Sequence, residues 1–169
     1  MAIHRVSSTS RVMIDTTVLV AGVVWPRFPF EVLQHGLRGD FDLVLCPTVI
    51  AEARRTFEVR FPGFAQAFEE FLAVVPYEEA VDPSAEEVWA NATLMRDTTD
   101  VPVALAAIAA QVDYFVSEDK DYTAPGQPIQ ERLRVLLPGT FLNQVMGWSH
   151  EELERIRRRT WADLTVGEV

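Results

Sequence analysis

Lysine is almost missing from this chain. Of its fifteen cationic side chains fourteen are arginine, and Lys120 is the single lysine. Chemistry that needs a lysine elsewhere is excluded, and with no Gly-Lys-Ser/Thr triplet so is a phosphate-binding P-loop. Cysteine is as scarce: Cys46 alone rules out an internal disulfide framework and any zinc site built from several thiolates. There is no run of about 18 apolar residues, so no transmembrane helix is expected. The polar stretch Met1 to Ser10 lacks the apolar core of a secretory signal. A reducing cytoplasm, with no membrane partner, is the expected location. Positive charge is short as well. The 15 Lys+Arg face 25 Asp+Glu, a net charge of −10, which argues against nonspecific coating of nucleic acid. A nucleic-acid enzyme stays open if cations gather near a site or metal ions supply the positive charge.

What is present is an ordinary core-forming composition, 49% hydrophobic and 24% charged over 169 residues, enough for one domain that needs no staples. Short apolar runs alternate with helix-length segments. Strands are expected at 11–15, 42–46, 73–77, 113–117 and 132–137. Helices are expected from 17–24, 30–38 with Gly39 as a stop, 47–60 opened by Pro47, a segment from Pro62, 83–96, 101–112, and a terminal helix announced by the Ser149/Glu152 capping box. Strands separated by helices imply an α/β fold: three layers, α/β/α, around a mostly parallel sheet of four to five strands. The expected organisation is a tail over 1–10, a domain over 11–146, and a C-terminal helix and tail over 147–169 that packs on the domain or on a second subunit through Trp148, Ile156 and Trp161.

The acids fall at telling places. Asp15 ends the first strand, and Glu52 lies early in the helix after the second. Asp100, with Asp97 three residues before it, opens the Ala-rich helix, and Asp119 and Asp121 follow the fourth strand. Taken singly, each has a plainer explanation as a helix cap, a turn residue or a solvated loop. Taken together, four elements deliver acids to the carboxyl edge of one parallel sheet, where ligands bind. Converging carboxylates repel, and a cation relieves them. Oxygen-only ligation suits Mg²⁺ or Mn²⁺ rather than zinc, and such ions serve phosphodiester cleavage. None of the three histidines is placed as an alternative base: His4, His35 and His150 read as surface residues.

With those residues in view, the chain resembles a PIN domain. Residues 13–21 (Met-Ile-Asp-Thr-Thr-Val-Leu-Val-Ala) are similar to that family's first motif, and Thr48 to Glu52 to its second acidic position. Arg96 to Ala107, followed by Val112 to Asp121, resembles its Asp-rich helix mouth and its strand ending in Thr/Ser-x-Asp, and residues 137–142 resemble its closing strand–helix junction. The resemblance spans about residues 11–145. It implies a divalent-metal-dependent ribonuclease, and among small prokaryotic members the toxin of a toxin–antitoxin pair. The implied partners are RNA, an antitoxin protein and a second copy of the chain in a homodimer. Carried over by position, Asp15, Glu52, Asp100 and Asp119 are the catalytic and metal-binding acids, with Asp121 as a further ligand and Asp97, Thr17 and Ser117 as auxiliaries. Arg54, Arg55, Arg96 and Lys120 are the expected substrate-steering cations. The chain departs from the pattern at Thr17, where Asn is usual, at Val101, where a second acid is common, and at Glu118, where a small residue is common.

Two other readings compete. A non-catalytic PIN-like scaffold for RNA or protein has no reason to tolerate four converging acids. A haloacid-dehalogenase-type phosphohydrolase with Asp15 as nucleophile needs a lysine before its final acidic loop, and Lys120 lies inside that loop. For the arginines at 155, 157, 158 and 159, a solvated helix face balanced by Glu151, Glu152 and Glu154 is the plainer expectation than an RNA clamp. The Phe57, Phe61, Phe64, Phe68 and Phe71 set is expected to be core first.

Overall fold

The computed structural model describes residues 9–167. Five short strands, β1 (Arg11–Ile14), β2 (Asp42–Leu45), β3 (Tyr77–Glu79), β4 (Tyr114–Val116) and β5 (Val135–Leu136), form one sheet in the order β3-β2-β1-β4-β5. Every pairing is parallel, with Met13 opposite Val44 on one side and Phe115 on the other. Val12, Met13, Ile14, Val44, Leu45, Phe115 and Val116 are buried, the near-continuous apolar run expected of strands covered on both faces. The result is a three-layer α/β/α fold.

Ten helices cover the described chain: α1 (Thr16–Val24), α2 (Phe28–Arg38), α3 (Pro47–Arg60), α4 (Ala65–Val74), α5 (Ala85–Ala90), α6 (Val101–Ala109), α7 (Lys120–Thr123), α8 (Pro138–Gln144), α9 (His150–Ile156) and α10 (Trp161–Gly167). Their limits follow local chemistry. Pro47 and Pro138 open α3 and α8 without forfeiting a hydrogen bond. Gly39 closes α2 in the left-handed conformation. Ser84/Glu87 and Ser149/Glu152 form capping boxes.

Several expected boundaries are corrected. The segment 73–77 does not form the third strand. Phe68, Phe71 and Val75 keep a helical stripe against the core, so Ala73 and Val74 complete α4, and β3 begins only at Tyr77, beyond Pro76. The helix expected over 83–96 is only six residues long, because the chain turns at Asn91 to bring Met95 into the core. In the last strand only Val135 and Leu136 pair; Pro128–Glu131 is a 3-10 turn that seats Ile129. The terminal helix is two helices, broken between Ile156 and Trp161.

That C-terminal segment docks on the body. Ile156 is buried, and the Trp161 indole donates to the Val24 carbonyl at 2.9 Å with its ring edge-on to Phe30. The Trp148 indole donates to His35 Nε2 at 2.9 Å. An indole N–H can only donate, so His35 carries its proton on Nδ1 and gives it to Asp40 at 2.8 Å. His35 is therefore a partly buried bridge and not the surface residue expected. His150 is exposed, and His4 lies outside the described residues. Phe57, Phe68 and Phe71 are buried, with Phe57 stacked on Phe68.

Candidate active site at the carboxyl edge of the sheet

The strand order reverses beside β1: β2 lies on one side of it and β4, reached much later in the chain, on the other. A parallel sheet opens a crevice at such a point, beyond the carboxyl ends of the strands. Asp15 follows β1 directly, and Ser117 follows β4. A cavity of about 60 Å³ lies here, lined by Asp15, Thr16, Thr17, Glu52, Asp100, Val103, Asp119 and Tyr122. The acids at 15, 52, 100 and 119, separated by up to a hundred residues, thus share one small space.

Each is held differently. Asp15 is buried and caps α1. Its Oδ1 accepts from the Thr17 hydroxyl at 2.6 Å and from the Val18 amide at 3.3 Å, and its Oδ2 accepts from Ser117 Oγ at 2.6 Å. Burial nonetheless outweighs these hydrogen bonds and pushes its carboxyl up to about 6. Ser117 Oγ also receives the Asp119 amide at 2.9 Å, so one hydroxyl ties the end of β1 to the loop after β4. Thr17 makes a parallel tie: it donates to Asp15 and accepts the Glu118 amide at 3.1 Å. A threonine at this position thereby links two loops through one oxygen. Glu52, on α3, accepts from Thr16 Oγ1 at 2.9 Å. Asp119 caps α7 by accepting the Asp121 amide.

Asp100 is the exception. Its Oδ2 is buried and has no hydrogen-bond partner, the single such side-chain atom among the described residues. Desolvation first, then the charges of Asp119, Asp97, Asp121 and Glu52, push its carboxyl up to about 7. Buried polar atoms are nearly always paired, so an orphaned carboxylate oxygen inside an acidic cavity marks a position for a donor or cation from outside the chain. Asp100 also belongs to a second group: one carboxylate oxygen each from Asp97, Asp100 and Asp121 lie within 4.8 Å of one another. Val101, at the position where a second acid is common, is fully buried against the core. A carboxylate there would face hydrocarbon, and Asp121 brings a carboxylate to Asp100 from the other loop instead. The donor set is all oxygen and anionic, which fits a hard divalent cation such as Mg²⁺ or Mn²⁺.

The expected cations are placed variously. Arg96 reaches Asp121 at 2.7 Å. Arg54 makes a two-pronged pair with Glu69, both contacts at 2.9 Å. Arg55 and Lys120 are exposed, and their side chains have no hydrogen-bond or ion-pair partners among the described residues. Asp97 is exposed and caps the turn Thr98–Asp100 through Thr99. Three lining residues escaped sequence reasoning. Thr16 orients Glu52, Val103 forms an apolar wall, and the buried Tyr122 hydroxyl donates to the Asp100 carbonyl at 3.1 Å. For Thr16 a signal existed: the first residue of a helix capped by a site aspartate stands at the mouth of the site.

Comparison with known proteins agrees with this architecture. The sequence profile of the PIN domain matches residues 11–121, two thirds of the chain. Two solved structures share the fold. PAE2754 from Pyrobaculum aerophilum is 14% identical with a TM-score of 0.58, covering 82% of this chain and 97% of its own. VapBC2 from Rickettsia felis, crystallised bound to a DNA fragment from its promoter, is 16% identical with a TM-score of 0.55, covering 75% of this chain and 98% of its own. Among curated proteins none matches. The chain belongs to the PIN-domain family, whose members are in general nucleases and typically use divalent metal ions. Among its described residues no single helix is long and apolar enough to cross a membrane.

Proposed function

We propose that this protein is a divalent-metal-dependent endoribonuclease, the toxin of a toxin–antitoxin pair, acting in the cytoplasm as a homodimer that an antitoxin protein restrains. The observation that carries the nuclease reading is the convergence of Asp15, Glu52, Asp100 and Asp119 on one cavity whose Asp100 Oδ2 has no partner among the described residues. The toxin reading rests on the resemblance to small prokaryotic PIN domains and on the fold shared with VapBC2.

In this reading Asp15, Glu52, Asp100 and Asp119 hold a Mg²⁺ or Mn²⁺ ion, with Asp121 as a further ligand. When bound, the ion supplies Lewis-acid stabilisation of phosphoryl oxygens and lowers the pKa of water. The chain supplies rigidity. Ser117 and Thr17 fix the Asp15 carboxylate from two sides, and Thr16 fixes Glu52, so little reorganisation is needed when charge develops on the phosphate. The Tyr122 hydroxyl pins the Asp100 backbone, which holds the orphaned oxygen in the cavity. Arg96 and Lys120, flanking the acids, draw the RNA backbone toward a pocket that would otherwise repel it.

The test is cleavage of a mixed-sequence RNA with Mg²⁺ or Mn²⁺, with EDTA, and with Asp15→Asn. Cleavage is expected only in wild type supplied with the ion. Equal activity in wild type and Asp15→Asn sinks the proposal.

A further inference from the structure

Four of the five residues 155–159 are arginine. The sequence suggests a helix that spreads them around its circumference, but α9 ends at Ile156 and the chain turns. The arginines gather about that one turn. Two are braced by aromatic rings: Arg157 lies over Phe28 at 5.3 Å and Arg159 over Phe30 at 5.7 Å. Arg159 is also anchored, by the Pro26 carbonyl and Glu31, both at 2.6 Å. Arg157 gives only its Nε, to Glu154, in an exposed pair. Its two terminal nitrogens, and the whole guanidinium of the exposed Arg158, donate to nothing among the described residues. This is the densest basic stretch of a chain carrying −10, and it holds unused donors.

A cleft of about 470 Å³ is lined both by Arg157 of this turn and by Glu118, the residue before Asp119 of the acid site. Leu137, Gln144, His150 and Phe28 are among its other walls. Phe28 packs closely against Gly139: a side-chain carbon there would come within 3.1 Å of its ring, so any larger residue would push the ring by a few tenths of an ångström. Glu118 immediately precedes Asp119, and its amide is tied to Thr17, which also grips Asp15. Beyond Arg157 a second, polar hollow of about 480 Å³ is lined by Arg155 and Arg158. Arg157 is the wall the two share.

We infer that this cleft binds the nucleotide of single-stranded RNA that flanks the scissile phosphate, with its base toward Glu118 and its phosphate on Arg157 and Arg158. The volume suits a nucleotide-sized ligand, and apolar walls beside amide and carboxylate groups suit a base. The Glu118 carboxylate repels a phosphate but accepts the N–H groups of a base edge. The phosphate therefore goes to the arginines, where planar guanidinium forks match its oxygens. The proposal rests on the ribonuclease reading above and adds the path the strand takes.

The test follows kcat and KM for a mixed-sequence single-stranded RNA across a salt series, with Mg²⁺ present. Arg157→Gln/Arg158→Gln is expected to raise KM roughly tenfold with kcat within about twofold. Each phosphate neutralised on a single strand contributes about 0.7 to the slope of log affinity against log salt, and the two arginines share one phosphate, so the double variant's slope is shallower by about 0.7. The Arg158 side chain makes no hydrogen bond or ion pair among the described residues, so Arg158→Gln alone is expected to make the slope shallower by part of that amount, which decides the matter even if Arg157→Gln disturbs Phe28. Gln144→Trp, which fills the cleft without changing charge, raises KM and leaves the slope intact. If wild type cleaves RNA and the arginine variants keep its KM and slope, the path is wrong while the nuclease reading stands; the arginine turn would then serve a protein. If wild type cleaves no RNA with either ion, both fall together.

Discussion

The two edges of the sheet treat charge in opposite ways. At the amino edge, where the strands begin, Arg11, Asp42, Glu78 and Asp113 all have partners. Arg11 opens β1 and reaches past β2 to Glu78 on β3. It also donates to the Ala110 carbonyl at 2.8 Å, and its amide donates to Asp113 at 2.8 Å. Asp42 opens β2 and accepts from Thr9 at 2.7 Å. The Glu78 carboxyl is held below its ordinary range by Arg11. At the carboxyl edge, less than twenty ångström away along strands of three or four residues at about 3.3 Å each, acids face acids. Asp15 and Asp100 are both pushed upward, and one buried oxygen has no partner. A fold needs the first arrangement and gains nothing from the second. Local rules are broken where function requires it, and on that ground we propose the unsatisfied edge as the working one.

The largest effect expected from breaking this contrast is on catalysis. Asp119→Asn keeps the side chain's size and its cap on α7 but removes a charge from the cavity. Activity is expected to fall by on the order of 10²–10³, in the range seen when one preorganised electrostatic group is lost, while the far-ultraviolet circular dichroism stays that of wild type. Retention of more than a tenth of the activity would remove Asp119 from the working set. Ser117→Ala comes next. Its hydroxyl supports Asp15 from behind, and losing such support typically costs about 10–100-fold in ion affinity. That hydroxyl also holds the Asp15 carboxyl down against burial. Without it the proton stays on to higher pH, so the loss in Mn²⁺ affinity measured by calorimetry is greater at pH 6 than at pH 8.

The same edge is expected to weaken the metal-free fold. The carboxyls of Asp15 and Asp100 rise from an ordinary 3.8 to about 6 and about 7. Between these limits the folded chain binds more protons than the unfolded one, so stability is greatest below pH 4 as far as these groups are concerned and falls as pH rises through 7. Asp100→Asn removes the rising charge. It is expected to raise the melting temperature of the EDTA-treated protein at pH 7.5 by roughly 3–6 °C, as about 1–2 kcal/mol implies for a chain this long. The gain shrinks toward zero near pH 4. Mn²⁺ stabilises wild type and leaves the variant nearly unmoved. A variant that melts lower than wild type at pH 7.5 in EDTA would show that Asp100 is structural.

Much of this layout was legible in the residues, for identifiable reasons. Parallel strands buried on both faces leave continuous apolar runs, so β1, β2 and β4 stand out, and their following acids place the site. Proline at a helix start and a capping box are local signals, and α3 and α9 begin where those say. What failed was what depends on distant partners. β5 pairs through only two residues, because its neighbours are claimed by a 3-10 turn that seats Ile129. The strand expected at 73–77 gave way to a helix whose stripe found the core. Asp15 is a helix cap and a cavity-lining acid at once, so its plain explanation does not exclude the functional one. The His35–Trp148 bridge joins residues 113 apart, and no spacing rule announces it.

The smallest expected effect belongs to the amino edge and is the control that gives the others meaning. Arg11→Gln removes the pair with Glu78 and the bond to the Ala110 carbonyl. Both charged partners are well exposed, at 32% and 54%, so water and salt already screen most of their attraction. A drop in melting temperature of roughly 2–4 °C is expected, shrinking further in 1 M NaCl. RNA cleavage by the folded variant stays at the wild-type rate, since nothing at this edge touches the cavity. The two edges are joined through strands and through helices such as α6, which runs between Asp100 and the Ala110 carbonyl that Arg11 holds, and these transmit position rather than charge. If Arg11→Gln cut catalysis as deeply as Asp119→Asn, the division between a satisfied, structural edge and an unsatisfied, chemical one would be lost.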